Sequence, residues 1–169
     1  MKRLLIFLLS LLTASQVCFS VSTESISISS AGQLVYCSSN NLDFSSVPAL
    51  KVYIIKYDQE SNTLKGVRVT DVPAGTGILI SGSFGVYSIP VAESSSADYN
   101  DNLLVGTLES ITIQQMEGDH TNYYLSNGVY GVGFYKVTHE DGVLLKAQRA
   151  YLSIPSDLQL DNFFYIYYI

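Results

Sequence analysis

The sequence predicts an all-β fold, an antiparallel β-sandwich of the jelly-roll-like or Greek-key kind, with roughly ten short strands and little helix. Three observations predict it. Apolar and polar residues alternate with the period of two that a half-buried strand requires, and helical spacing is scarce. Turn signals built from Gly, Pro, Asn and Asp recur about every eight to twelve residues. The bulky residues are β-branched or aromatic, with 13 Tyr and 7 Phe but no Trp, which suits a pleated surface.

Strand formation begins, on this reading, after a polar lead-in. Residues 21–31 are rich in serine and read as a flexible leader. Leu34-Val35-Tyr36 is apolar and strand-like. Lys51 to Tyr57 is a β-branched and aromatic run, and Thr63 to Val69 alternates after the polar loop Asp58 to Asn62, so these two form a hairpin. Val72-Pro73-Ala74-Gly75 suits a type I turn, with Pro presetting φ at the second position. It launches the buried strand Gly77 to Ile80. Val86 to Pro90 follows, then the weaker candidates Asn102 to Leu108 and Ile111 to Gln115. Tyr123-Tyr124-Leu125 leads to Asn127-Gly128. Gly131 to Val137 leads to Asp141-Gly142, a tight-turn dipeptide from which Val143-Leu144-Leu145 returns. Ala150 to Ile154 and an aromatic terminal strand at residues 163–169 complete the series. That last run fits a strand buried on both faces, paired inside the sandwich or with a second chain.

The amino terminus carries an address. Lys2 and Arg3 precede an apolar run from Leu4 to Leu12, too short to span a bilayer, so residues 1–20 read as a signal peptide. Cleavage is expected after Ser20, with a cut after Ser15 as the alternative. Cys18 offers a second outcome, lipidation of its thiol, against which Val17 stands where a lipoprotein signal wants a small residue. The protein is therefore expected to be exported: secreted, periplasmic or associated with the cell surface, with no transmembrane span in the mature chain.

Removal of the signal sharpens the charge. The whole chain has 15 acidic and 9 basic residues, a net charge of −6; losing Lys2 and Arg3 leaves 7 basic residues and −8. No Lys or Arg lies between Arg68 and Lys136, whereas Asp71, Glu93, Asp98, Asp101, Glu109, Glu117 and Asp119 do. Part of the surface is then acidic, and no nucleic-acid binding is expected, because phosphate neutralisation needs clustered Lys and Arg and this chain is net negative. Cys37 is left without a disulfide partner and reads as a small buried hydrophobe, because no His or Lys adjoins it to lower its pKa.

Catalytic groupings are sparse. His120 and His139 sit in polar turn contexts, and no Gly-x-Ser-x-Gly elbow joins a strand to a helix. Asp98, Asp101, Glu117 and Asp119 are the acids from which a glycosidase pair would come. No enzyme activity and no cofactor are expected. Asp98, Asn100, Asn102 and Glu109 imitate part of a twelve-residue calcium loop, but Leu103 stands where that loop needs Gly. They are weak metal candidates, and solvated turn residues are the better account.

The ordered series Val35-Tyr36-Cys37-Ser38-Ser39, Leu42-Asp43-Phe44-Ser45, Leu50 to Ile54, Val72 to Gly77, Asn102 to Gly106, Val132 to Lys136 and Arg149 to Pro155 resembles an all-β module of unassigned role that recurs in secreted and surface proteins of Bacteroidetes. The resemblance covers residues 32–155 of a single domain spanning 32–169. It implies a structural, adhesive or protein-docking role at the cell surface, the partner being a surface protein or a matrix. A neutral glycan held by exposed tyrosines is the alternative, weakened by the missing Trp. Nothing in the sequence sets the oligomeric state.

Overall fold

The protein is described by a computed structural model that covers residues 21–158, Phe163–Phe164 and Tyr167–Tyr168. The expected signal peptide and Cys18 lie outside the described residues. In chain order the strands are β1 (Thr23–Ile28), β2 (Gln33–Tyr36), β3 (Asn41–Asp43), β4 (Lys51–Asp58), β5 (Thr63–Val69), β6 (Asp71–Val72), β7 (Ile78–Ser81), β8 (Gly85–Ala92), β9 (Leu104–Thr107), β10 (Ile111–Ile113), β11 (Met116–Glu117), β12 (His120–Gly128), β13 (Gly131–Lys136), β14 (Val143–Leu145), β15 (Arg149–Pro155), β16 (Phe163–Phe164) and β17 (Tyr167–Tyr168). The fold is all-β and sandwich-like, with more and shorter strands than the roughly ten expected.

Three sheets stack as layers. The first has the order β1-β8-β3-β6, the central one β17-β5-β4-β7-β2, and the third β16-β13-β12-β15-β9, with β11 added to β12. Residues of β4 show how the centre is built. Val52 and Ile54 enter the core shared with the first sheet, and Tyr53 and Ile55 enter the core shared with the third. The same alternation sends Ile78 and Ile80 one way and Leu79 the other. The runs Lys51–Tyr57 and Ile78–Ile80 are continuous because both faces of the central sheet are covered. A two-stranded ribbon, β10-β14, lies over the third sheet, where Ile113, Val137 and Tyr151 are buried with Val143 and Leu145 against them.

Several expectations are corrected. The serine-rich segment is not a flexible leader: Thr23–Ile28 pairs with β8, burying Ile26 and Ile28 and leaving Ser25 and Ser27 exposed. Serine here fills the solvent face of an edge strand. The turn after β6 spans Pro73–Thr76, one residue later than expected. Thr76 N–H donates to the Pro73 carbonyl (3.2 Å) and Gly75 takes φ +80°, which makes it type II. The β12–β13 turn likewise comes after Asn127-Gly128, since Gly128 is already paired with Gly131. Val143–Leu145 does turn back at Gly142 (φ +73°), but it pairs with β10 rather than β13. Gly142 packs so closely on β10 that a Cβ there would lie 2.5 Å from the Ile113 carbonyl oxygen. The terminal run is not one strand. β16 joins the edge of β13 antiparallel, and β17 joins β5 in parallel, so the segment ties two different sheets.

Candidate functional site

Two surfaces present functional side chains. The first is an open polar groove of about 470 Å³ beside β15, into which Asn100, Asp101, Glu117, His120, Tyr151 and Ser153 project. Its rim comes from the loop that links β8 to β9. That loop is stitched in place by Tyr99, whose hydroxyl donates to the Asp71 carbonyl (2.8 Å), and by Leu103, whose N–H donates to the Ile55 carbonyl (2.8 Å). Asp101 pairs with Lys56 at 2.7 Å.

On the opposite rim β11 sets Glu117 across from its register partner His120. The buried Tyr151 donates its hydroxyl to Glu117 Oε2 (3.4 Å). Burial, then the Glu117 charge and hydrogen bond, push the Tyr151 phenol above its ordinary pKa. His120 Nδ1 lies 2.7 Å from Asp119 Oδ1. Ser153 lines the same groove, with no hydrogen bond joining it to His120. The groove thus collects two of the four candidate acids, Asp101 and Glu117. Asp119 stays outside on His120, and Asp98 lines other clefts while accepting from Asn100 Nδ2 (2.8 Å). His139 is exposed in the turn before β14. In a groove this open, solvent screens the charges.

The calcium-like residues do not converge. Asn102 is committed to the fold: its Oδ1 accepts the N–H groups of Ile55 (3.0 Å) and Leu104 (3.1 Å), and its Nδ2 donates to the Gly77 carbonyl (2.8 Å). Strand β9 then carries the chain away, so that Glu109 sits beyond its far end. Among the described residues no group of three or more His, Cys, Asp or Glu stands together as a metal ligand set.

The second surface is the β12–β13 hairpin tip. Val129 is 91% exposed and Tyr130 63%. Tyr135 makes this tip rigid, since its hydroxyl accepts the Tyr130 N–H (3.0 Å) and donates to the Gly131 carbonyl (2.7 Å). Its ring lies over Gly128, where a Cβ would come within 2.7 Å of it. Gly131, at φ +91°, closes the turn directly after the two loop residues, opposite its register partner Gly128. Tyr130 lies nearly parallel to Tyr135 (16°, centroids 6.5 Å apart), and Tyr124 stands beside Tyr135 across the strand pair (6.4 Å). Composition and periodicity do not single out this tip. Its signal was the two glycines flanking two large residues, with a tyrosine four positions later.

Cys37 is fully buried, and burial, then the Glu24 charge, push its thiol up to about 11. It is a core residue. Among the described residues no helix is long and apolar enough to cross a membrane. Compared with family models, curated proteins and solved structures, the chain matches none.

Proposed function

We propose that the protein is an exported, non-catalytic β module that docks on another surface protein or matrix, as expected of the Bacteroidetes modules that its strand series resembles. The observation that carries this reading is the pinned hairpin tip. Exposed Val129 and Tyr130 offer apolar and aromatic contact area, and tyrosine is a frequent binding hot spot. The Tyr135 clamp orders the Tyr130 backbone in advance, so docking costs less conformational entropy. A tip projecting from a paired hairpin also reaches a partner without disturbing the sheets.

The test is binding of labelled protein to the surface of producing cells. V129S/Y130S is expected to bind at least about tenfold more weakly while unfolding at the wild-type temperature. Equal binding by the double variant would remove the tip from the account. Turnover of a glycan or peptide, abolished by D101N or E117Q, would overturn the non-catalytic part.

A second reading rests on the row Tyr124, Tyr135 and Tyr130. Aromatic faces stack on sugars, so the row suits a neutral glycan. Glycan-array binding lost in Y130A but retained in V129S favours this reading over protein docking.

A further inference from the structure

A different pair of surfaces carries an inference beyond docking through the hairpin tip. At one end of β15, a cleft of about 290 Å³ is lined by Leu34, Leu125, Leu144, Lys146 and Arg149. Leu144 is 71% exposed, an unusual position for leucine next to two cations. Among the described residues no carboxylate comes within ion-pair distance of Lys146 or Arg149. The Arg149 guanidinium donates to the carbonyl of its own neighbour, Gln148 (3.1 Å). Gln148 itself is held at φ +56°, a left-handed conformation that a non-glycine residue seldom adopts. The turn is fixed from outside by Ser110, whose Oγ accepts the Ala147 N–H (3.1 Å).

At the other end of β15, the β11–β12 turn offers the complement. Met116 is 54% exposed and is followed by Glu117, Gly118 and Asp119, with Gly118 at φ +60° shaping the turn. An exposed thioether followed by two carboxylates, Glu117 beside the Tyr151 hydroxyl and the largely solvent-facing Asp119 beside His120, matches a leucine-lined cleft flanked by two cations, and methionine adapts readily to an irregular apolar surface. The register places these surfaces apart. Arg149 pairs with Thr107 at the start of β15, and His120 pairs with Pro155 at its end, a separation of roughly 20 Å along the strand. One chain therefore cannot satisfy its own cleft.

We infer that copies of this chain associate head to tail, the Met116–Asp119 turn of one seated in the Leu34–Leu125–Leu144 cleft of the next, between Lys146 and Arg149. Such contacts are heterologous, so each copy gives one surface and receives one, and assembly grows past the dimer, into a ring where the rotation closes and an open series where it does not. Opposite charge sets the polarity of the contact, and leucine–methionine burial holds it.

Sedimentation velocity of the purified protein from micromolar to millimolar concentration tests this. The wild type is expected to grow past the dimer, while K146E/R149E and E117K/D119K each stay monomeric. Mixing those two variants restores growth, because the reversed turn now fits the reversed cleft and the unaltered surfaces still fit each other. Circular dichroism of each variant checks that it is folded. V129S/Y130S grows like the wild type, which separates this contact from the hairpin tip. A monomeric wild type at the highest concentration, assembly unchanged in either charge-reversed variant, or folded variants that stay monomeric when mixed would overturn the inference.

Discussion

The Asn102 carboxamide occupies the hydrogen-bonding position of a neighbouring strand at Ile55, accepting its backbone N–H at 3.0 Å. The same side chain donates to Gly77 at 2.8 Å, and the next residue, Leu103, returns its own N–H to the Ile55 carbonyl. Through Ser153, which donates to the Leu103 carbonyl (2.9 Å), the loop joins the central sheet to the third. N102A leaves the buried Ile55 N–H without its acceptor, at a cost of about 1–3 kcal/mol. N102D keeps the acceptor but turns a carboxylate oxygen onto the Gly77 and Leu104 carbonyls, where the amide donated, and is expected to cost more at neutral pH. Urea denaturation of the two variants checks the order.

Gly106 and Cys37 form a second close contact between layers. A Cβ at Gly106 would meet Cys37 Sγ at 2.5 Å and the Gly75 carbonyl oxygen at 2.6 Å. G106A is expected to destabilise by about 1–3 kcal/mol through overpacking. C37A in the same chain relieves part of this, because the sulfur yields and the Gly75 backbone does not. A double-mutant cycle measures the coupling.

Acid stability depends on Glu24. Burial raises its carboxyl pKa, but hydrogen bonds donated by Ser38 (2.6 Å), Tyr36 and Asn40 (2.9 Å) outweigh that and hold it below the ordinary 4.5. The folded state therefore favours the carboxylate, and the resulting stability is present above about pH 4.5 and lost as pH falls through the lowered folded value. Burial, then Glu24, raise the Tyr36 phenol above 10.0, so its contribution is present below pH 10 and lost at still higher pH. E24Q is expected to flatten the acid limb and to cost roughly 1 kcal/mol at neutral pH. Denaturation midpoints across the pH range give both results.

Thiol chemistry follows burial. Cys37 is inaccessible and its pKa is pushed up to about 11, so an aromatic disulfide reagent at pH 8 is expected to leave the native thiol unmodified and to label it rapidly in urea. Fast labelling of native protein would contradict its place in the core.

The terminal run guards two edges. β16 covers β13 and β17 covers β5, so a chain truncated after Pro155 exposes both to edge-to-edge pairing. Light scattering is expected to show aggregation on warming at a lower temperature than for the full chain. A soluble truncation of equal stability would make the run dispensable.

The β4–β5 hairpin was fully legible, because its alternation and polar loop are local and its register runs unbroken from Val52 opposite Val69 to Asp58 opposite Thr63. Cys37 was legible too, from its apolar neighbours. β1 was not, although Glu24-Ser25-Ile26-Ser27-Ile28 alternates, because serine on a solvent face has the composition of a linker. The candidate site was legible as a set of acids without an arrangement: Asp101 and Glu117 meet in one groove, whereas Asp98, close to Asp101 in sequence, lines other clefts.

By itself, then, the sequence determined the strand period, most strand positions and the acidic balance, since these rest on neighbouring residues and on composition. Tertiary structure alone decided that three sheets stack, that Val143–Leu145 pairs with β10, that the terminal run divides between two edges, and that Tyr135 pins Tyr130. Each of those depends on a backbone approach or a hydrogen bond whose partner is chosen by packing: Gly142 against Ile113, β17 against β5, the Tyr135 hydroxyl at the hairpin turn. A period of two says that a strand has two faces, and only the assembled layers say what covers each.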